Sequence, residues 1–223
     1  MPKLSGPMMP PLSGGDPKQA VILLHGYGSD GNDLIGLAPH WRDMLADAVF
    51  IAPNAPEQVP GHPSGYQWFA PDFEADSIAM RQKGLHAAAP VLGEFLSDFW
   101  TQSGLGAQDT ILAGFSQGAM MALHFGLSLP EPLMGVLAFS GLFQPADNFG
   151  AENLPKPPVA IVHGDMDTVV PFSLGEAAAA TLTKAGYAVK FHNSAGVGHG
   201  IAPDGLAFAA DFIGGIIPNK KQR

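Results

Sequence analysis

Cysteine is absent from the 223-residue chain. Its absence excludes disulfides, thiol nucleophiles and cysteine-ligated metals. Positive charge is scarce: Lys and Arg number 11 against 20 Asp and Glu, a formal net charge of −9. An acidic surface repels phosphate backbones and anionic headgroups, so nucleic-acid binding is not expected. The late basic residues Lys220, Lys221 and Arg223 read as a solvated tail. Long hydrophobic runs are missing as well. No segment approaches the roughly 18 uncharged apolar residues of a membrane-spanning helix. Residues 1–17 are rich in Pro and Gly and hold no apolar run of the signal-peptide kind, so a cytoplasmic address is expected. Tight His/Asp/Glu clusters such as H-E-x-x-H do not occur, which leaves no candidate metal ligands.

What is present suits a sizeable core, with 46% apolar residues. The length fits one domain, expected over residues 18–217, with an irregular lead-in over 1–17 and a polar tail over 218–223. Short apolar runs at 20–24, 48–52, 110–115, 135–139, 159–162 and 188–192 predict strands. Between them lie helical patterns at 32–45, 75–100, 116–128, 173–185 and 203–217. Pro39 must interrupt the first helix, and Pro90 is expected to disturb the second. Residues 53–71 hold five of the 21 prolines and are expected to form an extended loop. Alternation of strands and helices predicts an α/β fold. Its mostly parallel central sheet carries helices on both faces, and no insertion is large enough for a lid domain. Chemistry should then gather at the C-terminal ends of the strands.

Gly114-Phe115-Ser116-Gln117-Gly118 matches G-x-S-x-G at the junction of a predicted strand and helix. That setting holds a serine on a sharp, strained turn. The competing reading is a simple helix cap. A serine nucleophile needs a base, and the base an orienting acid, in chain order Ser, acid, His. The acid candidates follow strand 159–162 at Asp165 and Asp167. Asp167 is favoured because the apolar Val169-Val170-Pro171 follows it and can bury it. His199, on a glycine-flanked loop after strand 188–192, is the favoured base among eight histidines. His163 ends a strand and is placed to orient the acid loop. His192 on its strand and His124 in the helix read as structural.

His25-Gly26-Tyr27-Gly28 follows the first buried strand. Its loop can aim the backbone N–H of Tyr27 at a carbonyl oxygen, with the N–H of Gln117 as second donor. Only backbone is used, so neither side chain need be special. The same stretch reads G-x-G-x-x-G over 26–31, a dinucleotide-binding pattern. It lacks the acidic residue expected at the end of the second strand, where no acid precedes Glu57.

Six strings in order resemble the phospholipase/carboxylesterase family of α/β-hydrolases, the group of bacterial carboxylesterases and acyl-protein thioesterases. They are LLHGYGSDGNDL (23–34), APNAPE (52–57), YQWF (66–69), GFSQG (114–118), HGDMDTVVP (163–171) and GHGI (198–201). The resemblance covers about residues 18 to 217. It implies the α/β-hydrolase fold and a serine esterase without metal or organic cofactor. It also implies Ser116, Asp167 and His199 as catalytic residues and Tyr27 and Gln117 as oxyanion donors. By the same resemblance Trp68 and Phe69 line the acyl site, although on sequence alone both aromatics read equally well as core. Leu142 and Val169, apolar residues on loops beside the expected site, join them as candidate pocket residues, as do Phe143 and Phe149. The expected substrate is a small carboxylic ester of short or medium chain. A lysophospholipid or acyl-thioester is the alternative, and a non-catalytic binding module on the same fold is a remote one. Homodimers are common in the family, but a single sequence shows no interface.

Overall fold

The computed structural model describes residues 3–71 and 78–217. In chain order, its elements begin with strands β1 (Met8–Met9) and β2 (Gln19–Leu24) and the one-turn helix α1 (Gly31–Leu34). Next come β3 (Ala48–Ile51), β4 (Glu57–Val59), β5 (His62–Gln67) and the long helix α2 (Ile78–Ser103). The second half holds β6 (Thr110–Phe115), α3 (Gln117–Gly126), β7 (Gly135–Phe139), β8 (Val159–Gly164), α4 (Phe172–Lys184), β9 (Val189–Ser194) and α5 (Pro203–Ile216).

Seven strands form one sheet in the order β1-β3-β2-β6-β7-β8-β9. All neighbours pair in parallel except β1, which runs antiparallel along the β3 edge, with Met8 opposite Ile51 and Met9 opposite Phe50. The central strands are buried on both faces, which is why they read as unbroken apolar runs. Alternate residues divide between two cores. Ile22, Leu24 and Leu112 face α2, α3 and α4 on one side. Val21, Leu23 and Ile111 face the 34–45 segment and α5 on the other. The arrangement is an α/β-hydrolase fold. Among the described residues no separate lid domain is present, and no helix is long and apolar enough to cross a membrane.

Three expectations need correction. Residues 32–45 do not form one helix. α1 lasts four residues, and a 3-10 helix spans Ile35–His40 with Pro39 inside it. Proline has no N–H for the bond back to the fourth residue before it, so a longer α-helix does not propagate. The 53–71 segment is not simply a loop, because β4 and β5 form a hairpin with Gly61 in its turn at φ 77°. The hairpin docks on the loop after β2: Gly28 N–H donates to Tyr66 O and Tyr66 N–H to Ser29 O, at 2.9 and 2.8 Å. The proposed start of the second helix, residue 75, lies outside the described residues. From Ile78 onward α2 runs through Pro90 without a break. Pro90 is exposed, so the one hydrogen bond it removes lies on the solvent side of the helix.

Candidate active site

The site is assembled from loops at the C-terminal ends of β2, β6, β8 and β9. Ser116 is the single residue between β6 and α3 and adopts φ 54°, ψ −115°. A non-glycine residue in that region is strained and must be held by its surroundings. Here Ser116 N–H donates to Phe139 O at 2.9 Å, and Ser116 O accepts from Met120 N–H at 3.0 Å. The flanking glycines have a steric reason. A Cβ on Gly114 would strike the backbone of Gly118, and one on Gly118 would strike the carbonyl of Leu24. The elbow therefore packs backbone against backbone, with β2 as the third party.

Asp167 is buried in the loop after β8. Its Oδ1 accepts the N–H groups of Val169 and Val170, each at 2.9 Å. That fixes the carboxylate and leaves Oδ2 to meet His199 Nδ1 at 2.7 Å. An ionised carboxylate can only accept, so Nδ1 donates and Nε2 is left as the acceptor. Nε2 lies 2.9 Å from Ser116 Oγ. Burial alone would push the Asp167 carboxyl up. The bonds from His199, Val170 and Val169 outweigh it and hold the group below the usual carboxylate value of 3.8. Phe115 packs against the His199 ring, with centroids 4.9 Å apart. The result is a continuous relay, Asp167 to His199 to Ser116, open to a cavity on the serine side.

Asp165, the competing acid, does different work. Its Oδ1 accepts Gly196 N–H at 2.7 Å and ties down the loop that carries His199. His163 is fully buried beneath the acid. Its Nε2 donates to Val170 O at 2.8 Å and stands 3.4 Å from Asp167 Oδ2. His192 pairs with Asp204 at 2.8 Å, and the buried His124 donates to Gln144 O at 2.9 Å. Neither reaches Ser116.

Gly26, Tyr27, Ser116, Gln117 and His199 border one cavity of about 460 Å³. Gln117 opens α3, and the first N–H groups of a helix have no partner within it. The Gln117 side chain matters more than the sequence implied. Its Oε1 accepts Trp68 N–H at 2.8 Å and its Nε2 donates to Phe69 O at 2.7 Å. Phe69, Leu142 and Val169 line the cavity with Met120 and Leu174. Trp68 does not. It is 2% exposed, and its indole N–H donates to His25 O at 3.0 Å. An indole must satisfy its N–H when buried, and here that bond turns Trp68 into the core, away from the cavity. Phe143 and Phe149 also lie off the cavity; they pack edge-to-face, and Phe149 stacks on Tyr187. Arg81 on α2 and Ser29 on the β2 loop supply polar wall. Nothing in the sequence marked Arg81, which sits in an ordinary helical pattern.

The G-x-G-x-x-G stretch does not open a nucleotide-binding helix, since α1 is only four residues long. Gly31 serves close packing instead: a Cβ there would strike Ala52 O. Among the described residues, no group of three or more His, Cys, Asp or Glu is placed to hold a metal ion.

Comparison with known proteins places these features in context. The family model described as phospholipase/carboxylesterase matches residues 12–217. Acyl-protein thioesterase 1 of Neurospora crassa is 32% identical over 216 residues, covering 89% of this chain and 86% of that protein. Esterase YpfH of Escherichia coli is 30% identical over 202 residues, covering 90% and 84%. The crystal structure of esterase PE8 superposes with a TM-score of 0.92 at 52% identity, over 97% of this chain and all of that one.

Proposed function

The chain belongs to the phospholipase/carboxylesterase family, and from that membership we propose that it is a serine carboxylesterase acting on short- to medium-chain carboxylic esters through an acyl-enzyme intermediate. The observation that carries this reading is the relay of 2.7 and 2.9 Å contacts from Asp167 through His199 to Ser116, ending at an apolar-walled cavity. His199 Nε2 takes the proton of Ser116 as its oxygen attacks the ester carbonyl. The backbone N–H groups of Tyr27 and Gln117 stabilise the oxyanion of the tetrahedral intermediate. His199 then gives its proton to the departing alkoxide, which leaves as the alcohol. Water repeats the sequence on the acyl-enzyme, releasing the acid and restoring Ser116. Asp167 holds the imidazole in the Nδ1–H tautomer and stabilises it while it is charged. No metal or organic cofactor enters any step. Phe69, Leu142 and Val169 form the wall against which the acyl chain lies.

The test is labelling with a fluorophosphonate probe followed by peptide mapping. The adduct is expected on Ser116 and absent from Ser116→Ala, whose kcat should fall by roughly 10⁴-fold or more. An unlabelled Ser116 in folded protein, or esterase activity retained by Ser116→Ala, overturns the assignment. Thioester cleavage is the second reading, favoured by the relationship to the Neurospora crassa thioesterase. The same relay cleaves either bond. Parallel turnover of an aryl ester, a lysophospholipid and an acyl-thioester separates these substrates.

A further inference from the structure

Helix α2 forms one side of the acyl cavity's surroundings, and Arg81 brings it to the cavity wall. One turn further on, Gly84 occupies a helix-interior position where glycine is unfavourable on propensity alone. Its neighbour explains it. A Cβ built on Gly84 would lie 2.7 Å from both Cβ and Cγ of Phe69 and 2.8 Å from Cδ2. Those atoms are the root of the side chain, not its flexible end, so a rotamer change at the ring tip does not relieve the overlap.

Phe69 has little freedom to retreat along its backbone. Gln117 Nε2 holds its carbonyl, Gln117 Oε1 holds the N–H of Trp68, and the Trp68 indole is bonded to His25 O. Gln117 is itself the residue after Ser116. The segment carrying Phe69 is thus pinned to the nucleophile elbow on one side and rests on bare helix backbone on the other. The remaining direction for its ring is the cavity that it lines. We propose that Gly84 is a specificity-determining position: the missing side chain lets the Phe69 ring sit back against α2, and so sets how long an acyl chain fits beside Ser116. The proposal rests on the ester-hydrolase reading above and extends it to a residue that touches no substrate.

Gly93 supplies an internal control on the same helix. A Cβ there meets only the far edge of the Phe125 ring, at 3.3 Å and beyond, and Gly93 does not border the cavity. Gly84→Ala and Gly93→Ala are therefore the same chemical change with different predicted consequences. The experiment measures kcat/KM on p-nitrophenyl acetate, butyrate and octanoate for the full-length protein and its variants. Gly84→Ala should lower the octanoate-to-acetate ratio by about tenfold, the scale on which pockets discriminate a methylene or two. Gly93→Ala should leave the ratio at the wild-type value. Phe69→Leu should raise it, and Gly84→Ala/Phe69→Leu should recover octanoate turnover lost by Gly84→Ala. A ratio unchanged in folded Gly84→Ala overturns the proposal. Should Gly84→Ala fail to fold, Phe69→Leu decides: an unchanged ratio in that variant overturns the proposal equally. If the wild-type protein turns over none of the three esters, it is the ester-hydrolase reading that fails, an outcome distinct from a ladder that runs but does not respond.

Discussion

Ser116 is the residue where the fold and the chemistry compete most directly. Its φ of 54° and ψ of −115° are maintained by backbone bonds to Phe139 and Met120 and by the glycine contacts around it. Such a conformation costs about 1–3 kcal/mol for a residue bearing a Cβ. Alanine keeps that cost and glycine removes it, less about 0.5–1 kcal/mol for the added freedom of the unfolded chain. Ser116→Gly should therefore be more stable than Ser116→Ala by about 1 kcal/mol, a rise in Tm of roughly 2–4 °C for a domain of this size. Both variants should be inactive. Calorimetry on the pair checks it, and an equal or lower Tm for Ser116→Gly shows that the turn stores no strain. The same scale explains why the sequence could favour Asp167 over Asp165 only on its apolar neighbours. Asp165 and Asp167 sit in one short loop, and what separates them is the partner each finds: Gly196 for the first, His199 for the second. No local pattern encodes a partner some 30 positions away.

At the scale of elements, the strands were legible because each central strand is buried on both faces and leaves an uninterrupted apolar run. The strand–serine–helix junction was legible because its crowding admits only glycine on either side. The β4–β5 hairpin was not. His62 to Ser64 are exposed, so no alternation marks the first half of the strand, and its anchoring comes from the Gly28–Tyr66 and Ser29–Tyr66 bonds to a distant loop. Trp68 was left open between core and cavity wall because aromaticity says that a residue is buried, not against what, and the structure puts it in the core. Gln117 was assigned only its backbone, yet its side chain joins the start of α3 to the end of the hairpin segment. Replacing it with Met keeps the length and apolar bulk but strands a buried N–H and a buried carbonyl. Each such loss costs about 1–3 kcal/mol, so Gln117→Met should lower stability by about 3 kcal/mol. Urea unfolding reads this directly. Because Phe69 loses its anchor, KM for esters should rise as well, while the Gln117 N–H stays in place. A midpoint equal to wild type shows that water replaces both bonds without loss.

For the molecule as a whole, the consequence of burying so many polar groups beneath the site is sensitivity to acid. His25 is fully buried, with Nδ1 donating to Gly26 O and Nε2 accepting Ala55 N–H at 2.9 Å. His124 is 2% exposed beneath the 144 carbonyl. Burial depresses both imidazoles below their ordinary 6.5, more than their backbone bonds raise them. Below that pH the unfolded chain takes up protons that the folded chain refuses, so stability is full above about 6.5 and declines as the pH drops. Asp167 acts in the same direction further down. Its carboxyl is held low in the folded state, and its contribution is lost below the unfolded value of 3.8. The net charge of −9 works the other way, since protonation relieves self-repulsion. Measurement at about 0.3 M salt damps that long-range term and leaves the buried groups to act. Tm should then hold from pH 7.5 to about pH 6.5 and fall from there to pH 5, and His124→Gln, which keeps a donor for Gln144 O, should flatten the fall. His25 keeps its share of the slope in that variant, so the slope is reduced rather than abolished. Parallel curves for the two proteins would mean that His124 takes up its proton without cost, and that the slope is left to His25, which accepts Ala55 N–H.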